Sequence, residues 1–140
     1  MKPYEFLEHT ADAKFRAYGK TLEEAFTNAA LATTAIMCGV KKVRQSIEKT
    51  INVAAKKKES LLFDFLQQLV ILLDTEGFLL GGVKSLTISK NKEGYSLHAI
   101  ILGDSADHYE IHTAIKAVTY NDMFIKEEKG RVTVQVVHDL

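Results

Sequence analysis

Apolar residues recur along this chain with two different periods, and the change of period divides it into elements. Tyr4 to Leu7 is a short apolar-rich run, and Ala13 to Tyr18 alternates Phe15 and Ala17 against Lys14 and Arg16, the spacing of half-buried strands. The polar or small residues between them, His9 and Asp12 included, make the turn. From Leu22 the period becomes helical. Leu22, Ala25, Phe26, Ala29, Ala32 and Ile36 share a face, Thr21 and Glu24 form a capping box ahead of it, and Gly39 closes it. A weaker alternation at Ile47, Lys49, Ile51 and Val53 predicts a strand before a solvated Lys56-Lys57-Lys58 turn. Ser60 then precedes Leu61, Leu62, Phe65, Leu66, Leu69, Leu72 and Leu73, an apolar face so wide that this second helix must be largely covered before Gly77 stops it. Alternating segments follow near Val83 to Lys90, Tyr95 to Leu102, Glu110 to Tyr120, Met123 to Glu127 and Arg131 to Val137. Asn91-Lys92-Glu93-Gly94 and Lys129-Gly130 supply hairpin turns.

The pattern predicts an α+β fold, a single domain over residues 1–140, with two main helices early in the chain and a mostly antiparallel sheet or sandwich around them. Neither a repeat nor a linker interrupts it. A 46% hydrophobic and 26% charged composition is that of a globular protein able to bury a core. Eighteen basic residues balance 18 acidic ones, so no whole-molecule field favours nucleic acid or an anionic membrane, and RNA contact is expected only locally or through a partner. The densest apolar stretch, Leu61 to Leu80, is broken by Asp64, Asp74 and Glu76, which argues for a buried helix and against a membrane span. One cysteine, Cys38, excludes an internal disulfide, and its place at the end of a helical pattern suits a buried small residue better than a nucleophile. With no cationic leader in view, a reducing, cytoplasmic location is expected.

Candidate chemistry gathers at the two ends. Glu8-His9-Thr10-Ala11-Asp12 follows the first apolar run, and the sequence closes on His138-Asp139-Leu140. A hard cation such as Ca²⁺ takes about six to eight oxygen ligands, so Asp12, Asp139 and the terminal carboxylate of Leu140 would make an open site if the first and last strands were neighbours. Alternation puts Val132, Val134, Val136 and His138 on one face and Thr133, Gln135, Val137 and Asp139 on the other, so Asp139 is preferred over His138 as a ligand. His9 stands open between ligand, orienting partner of Asp12 and turn residue. From the residues alone Asp12 reads better as an Asx-turn acceptor than as a ligand, since turn aspartates commonly bond their own backbone. Lys116 reads either as a surface strand lysine or as a basic contact for an acidic partner. Asp104-Ser105-Ala106-Asp107-His108 reads as a solvated loop, and Asp64 as a solvent-facing helix residue. Phosphate-loop, zinc-ligand, serine-elbow and dinucleotide motifs are absent.

Four stretches taken together resemble the archease family: Tyr4 to Asp12, Ala17 to Phe26, Leu73 to Phe78 and Ile115 to Tyr120. The likeness runs through essentially the whole chain in the same order. It implies a protein cofactor rather than a free-standing enzyme, one that assists an RtcB-type RNA ligase in tRNA splicing by promoting its GTP-dependent guanylylation and repeated turnover. The family's acidic metal positions map onto Asp12 and Asp139, with the carboxylate of Leu140 as a further ligand and His9 inside the same motif. The resemblance implies Ca²⁺, with Mg²⁺ or Mn²⁺ able to occupy such an oxygen site. Three departures stand out: Asn121 where many members carry histidine, Ala114 where an acid is frequent, and His138 where an aliphatic residue is more usual. Two rival readings remain. One is a metal-dependent phosphoesterase with His9 or His138 as general base; the other is a chaperone-like module with a purely structural ion.

Overall fold

The structure, a computed structural model, describes residues 1–8, 12–39 and 42–140. In chain order the elements are β1 (Tyr4–Leu7), β2 (Asp12–Gly19), α1 (Leu22–Cys38), β3 (Ile47–Ala55), α2 (Lys58–Glu76), β4 (Phe78–Asn91), β5 (Gly94–Ser105), a short 3₁₀ turn (Ala106–His108), β6 (Ala117–Glu128) and β7 (Arg131–Asp139). The strands form two antiparallel sheets, one ordered β1-β2-β7-β6 and the other β3-β5-β4. Both helices touch both sheets: α1 lies on β2 and β7 while reaching β4, and α2 lies on β6 while reaching β3, β4 and β5. This is the α+β sandwich with two main helices that the alternating periods predict.

Apolar side chains from all these layers meet in one core. Phe15, Phe26, Phe65, Leu61, Leu62, Leu66, Leu79, Leu97, Ile101, Val134 and Val136 are fully buried. Phe26 of α1 stacks on Phe65 of α2 with ring centroids 6.4 Å apart, which joins the helices across the middle. Thr21 caps α1 by accepting from the Glu24 amide at 3.1 Å, and Gly39 closes it with φ 74°. Cys38 is buried and donates to the Thr34 carbonyl at 3.4 Å, as a packed small side chain.

Several sequence expectations change: Asp12 opens β2 and is not part of the turn before it, and the strand expected near Val83 already begins at Phe78. The helix α2 begins at Lys58, ahead of Ser60, with Lys57 at the cap position and no side-chain cap bond. Residues 110–116 alternate in sequence but form no strand, because only Ile115 of their apolar residues enters the core while Ile111 stays exposed. That segment is tied down instead by the His112 amide on the Met37 carbonyl and the Lys116 amide on the Asp139 carbonyl, both at 2.8 Å. The two predicted strands at Glu110 to Tyr120 and Met123 to Glu127 become one, β6, interrupted between Thr119 and Phe124 by a bulge in which Asp122 takes φ 55°. Among the described residues no helix is long and apolar enough to cross a membrane.

Candidate functional site

The register of β2 against β7 is set by the core. Phe15 pairs with Val136, Ala17 with Val134 and Gly19 with Val132 on the helix-facing side. A slip of one residue would turn Lys14 and Arg16 into that apolar layer, so burial excludes it. The same register places Asp12 directly opposite Asp139. Directly paired residues of antiparallel strands project to the same face with Cβ atoms about 4.5–5.5 Å apart. Two residues that carry carboxylates, from opposite ends of the sequence, are thus neighbours across the ladder.

The strand on the far side of Asp139 presents Ala117, a small residue that leaves the face open. Lys116 is exposed, and its amide donates to the Asp139 carbonyl at 2.8 Å, which places it immediately before β6 at the same edge. Further along the face Arg16 donates from Nε to Gln135 Oε1 at 2.9 Å, and the Gln135 amide donates to the Asp122 carbonyl at 2.7 Å. Lys14 lies 3.4 Å from the Asp122 carboxylate, so the β6 bulge is anchored over this side of the sheet. The donor chemistry fits a hard divalent ion, since facing carboxylates offer several oxygens and like charges placed opposite one another in a sheet are otherwise unfavourable. Among the described residues no group of three or more His, Cys, Asp or Glu side chains is placed to hold a metal ion, so Asp12 and Asp139 stand as a pair. The side chain of Leu140 packs on the core beside Asp139. His9 lies outside the described residues.

His138 is not available to a ligand. It is fully buried on the helix-facing side of β7, 5.4 Å from the Phe15 ring, and its Nε2 lies 2.9 Å from Thr33 Oγ1. Thr33 spends its own hydroxyl proton on the Ala29 carbonyl at 2.9 Å, so Nε2 carries hydrogen and Nδ1 is the bare nitrogen. That Nδ1 has no hydrogen-bond partner among the described residues. Burial pushes the imidazole down to about 4, keeping it neutral. Both the ligand reading and the general-base reading of His138 are therefore corrected. The neighbouring departures behave as surface positions: Ala114 is exposed, and exposed Asn121 donates its amide to Thr119 Oγ1 at 3.2 Å within the bulge.

A second polar cluster lies on the other sheet, and the sequence reading of it as a solvated loop does not hold for Asp104. Its side chain is only 5% exposed. It accepts from His108 Nδ1 at 3.0 Å, the Tyr109 hydroxyl at 2.8 Å, the Ser105 amide at 2.8 Å and the Ser46 hydroxyl at 3.2 Å. The His108 bond first and the Tyr109 bond second hold this carboxyl well below its usual range. Strand alternation could not reveal it, because the cover comes from Tyr109 and Ser46, which lie outside β5. Asp64 is half-buried and Asp74 is exposed on α2.

Known proteins resemble this chain in sequence and fold along nearly their whole length. Residues 4–140 match the model of the Archease protein family (MTH1598/TM1083). The chain is 41% identical over 143 residues to the protein archease of Thermococcus kodakarensis, covering 100% of both chains. It is 37% identical over 141 residues to the protein archease of Methanosarcina mazei, covering 99% of this chain and 97% of the other. The solution structure of protein 1598 of Methanobacterium thermoautotrophicum superimposes with a TM-score of 0.84 at 34% identity and full coverage of both chains. The crystal structure of a Thermotoga maritima archease, described as a possible chaperone, gives 0.60 at 20% identity over 96% of this chain and 94% of that one, and shares the fold. With one family model matching nearly end to end and full-length relatives above a third identical, this chain belongs to the archease family.

Proposed function

We propose that this chain is a protein cofactor of an RtcB-type RNA ligase in tRNA splicing, acting in the cytoplasm to promote the ligase's GTP-dependent guanylylation and its repeated turnover. The observation that carries the reading is the cross-strand pairing of Asp12 with Asp139 in a chain of this family. Asp12 and Asp139 would hold a divalent cation, Ca²⁺ foremost and Mg²⁺ or Mn²⁺ under other conditions, with the carboxylate of Leu140 as a further donor. Such an ion, when bound, supplies positive charge and coordination for phosphate oxygens.

The chain's own residues supply rigidity. Asp12 and Asp139 sit on ladder-paired strands whose register the core dictates, so the two carboxylates reach a partner in a preset arrangement. Nucleotidyl transfer depends on positioning and charge stabilisation, which a docked protein can improve without carrying out the reaction. Lys116, exposed beside the Asp139 backbone, is placed to meet an acidic surface of the ligase. RNA is then reached through the ligase, consistent with a net charge of zero. The phosphoesterase reading loses one of its two general-base candidates to burial of His138.

A guanylylation assay with GTP and the cognate ligase tests this. Asp12→Ala and Asp139→Ala should each lower stimulation by about tenfold or more, with the far-ultraviolet circular dichroism of the wild type retained. Wild-type stimulation by both variants would overturn the reading. It would favour instead a chaperone-like module whose surface, and not its carboxylates, engages the client.

A further inference from the structure

The Asp104 cluster forms the floor of a cleft of about 410 Å³ lined by Lys42, Arg44, Asp104, His108 and Tyr109. Its lining is mainly polar and charged, the apolar part being the Tyr109 ring and the stems of Lys42 and Arg44, so it suits a polar ligand better than an apolar one. Two exposed cations stand on its rim, and among the described residues neither Lys42 nor Arg44 forms an ion pair. The one acid of the lining is already occupied: four donors converge on Asp104, and its side chain is 5% exposed. What the cleft shows to solvent is therefore positive, in a molecule whose total charge is zero.

The cluster is also built to hold its parts still. Tyr109 donates from its hydroxyl to Asp104 at 2.8 Å and accepts from the Arg44 amide at 2.8 Å, which clamps the backbone of Arg44 to the end of β5. Asp104 fixes the His108 ring through Nδ1, while the ring itself is 61% exposed and its Nε2 remains for a ligand. A carboxylate-oriented imidazole beside an arginine and a lysine matches a tetrahedral oxyanion, with Arg44 offering paired N–H donors and Lys42 a point charge.

We propose that this cleft binds a phosphate group of a nucleotide or an RNA strand, with Arg44, Lys42 and His108 as its contacts and Asp104 as the residue that positions His108. The site lies on the sheet β3-β5-β4, whereas Asp12 and Asp139 lie on β2 and β7 of the other sheet. It is independent of the ligase reading, and its test uses the purified chain alone.

Nuclear magnetic resonance of the histidine rings and arginine side chains, recorded while adding inorganic phosphate, GTP or a short unstructured RNA, reads the site directly. The His108 ring and Arg44 Nε signals should move on saturation. Arg44→Gln and His108→Asn should each weaken binding by about tenfold. Replacing Lys56 and Lys57 with alanine, on the exposed turn before α2, should leave the affinity unchanged. Tighter binding of GTP than of RNA assigns the phosphate to a nucleotide, and the reverse assigns it to a strand. Asp104→Asn should weaken phosphate binding less than His108→Asn and broaden the His108 ring signals, the mark of a positioning role. The proposal fails if none of the three ligands moves these signals, or if Arg44→Gln and His108→Asn bind phosphate as the wild type does.

Discussion

His138 shows how one buried side chain can be settled by the protons of its neighbour. Because Thr33 donates to the Ala29 carbonyl, the ring must donate from Nε2 to Thr33, and the bare Nδ1 faces the core. Leaving a buried polar atom without a partner costs about 1–3 kcal/mol, more than one neutral hydrogen bond returns. His138→Ile should therefore raise stability by about 1 kcal/mol, read from the urea midpoint at neutral pH, since Thr33 keeps its own acceptor and the aliphatic replacement needs none. A loss of stability would mean the Thr33 bond outweighs the unpaired nitrogen. Alternation alone placed His138 on the Val132, Val134, Val136 face, but the sequence held no sign that the face was fully covered at that end. Asp104 failed in the opposite way, since side chains from the loops before β3 and after β5 bury a residue that its own strand would leave exposed.

At the scale of elements, α1 was legible because several local signals agree. The Thr21 and Glu24 capping box, the helical apolar spacing and Gly39 fall where the helix starts and stops. The strand that feeds it depends on a glycine for reasons of space: a Cβ at Gly19 would lie 2.5 Å from the Ala25 amide nitrogen and 2.8 Å from the Glu24 side chain. Gly19→Ala should therefore destabilise the protein by about 1–3 kcal/mol, since the nearest atom is helix backbone that cannot turn aside. An unchanged urea midpoint would show that the junction of β2 and α1 has slack. Elements with conflicting signals were misread. Residues 110–116 alternate without finding a ladder, and β6 crosses its bulge where Asn121 and Asp122 look like a turn between two strands. Both depend on hydrogen bonds to distant partners, which periodicity does not register.

For the whole molecule, the architecture follows from pairing the second strand with the last. In the sequence that pairing is only a condition of the acidic site: alternation sorts the residues of β2 and β7 onto faces and excludes a one-residue slip, while the register that sets Asp12 against Asp139 comes from the structure. The cleft around Asp104 was not inferable, because Lys42 and Arg44 belong to a stretch without periodic pattern. The two clusters are joined along the chain by residues 109–116, whose last amide bonds the Asp139 carbonyl. Isothermal titration of the purified protein with Ca²⁺ asks directly whether the paired carboxylates hold a cation. The wild type should bind with measurable heat, and both Asp12→Asn and Asp139→Asn should weaken that binding by about tenfold or more. Equal affinity in the wild type and both variants, or no binding by the wild type, would contradict it.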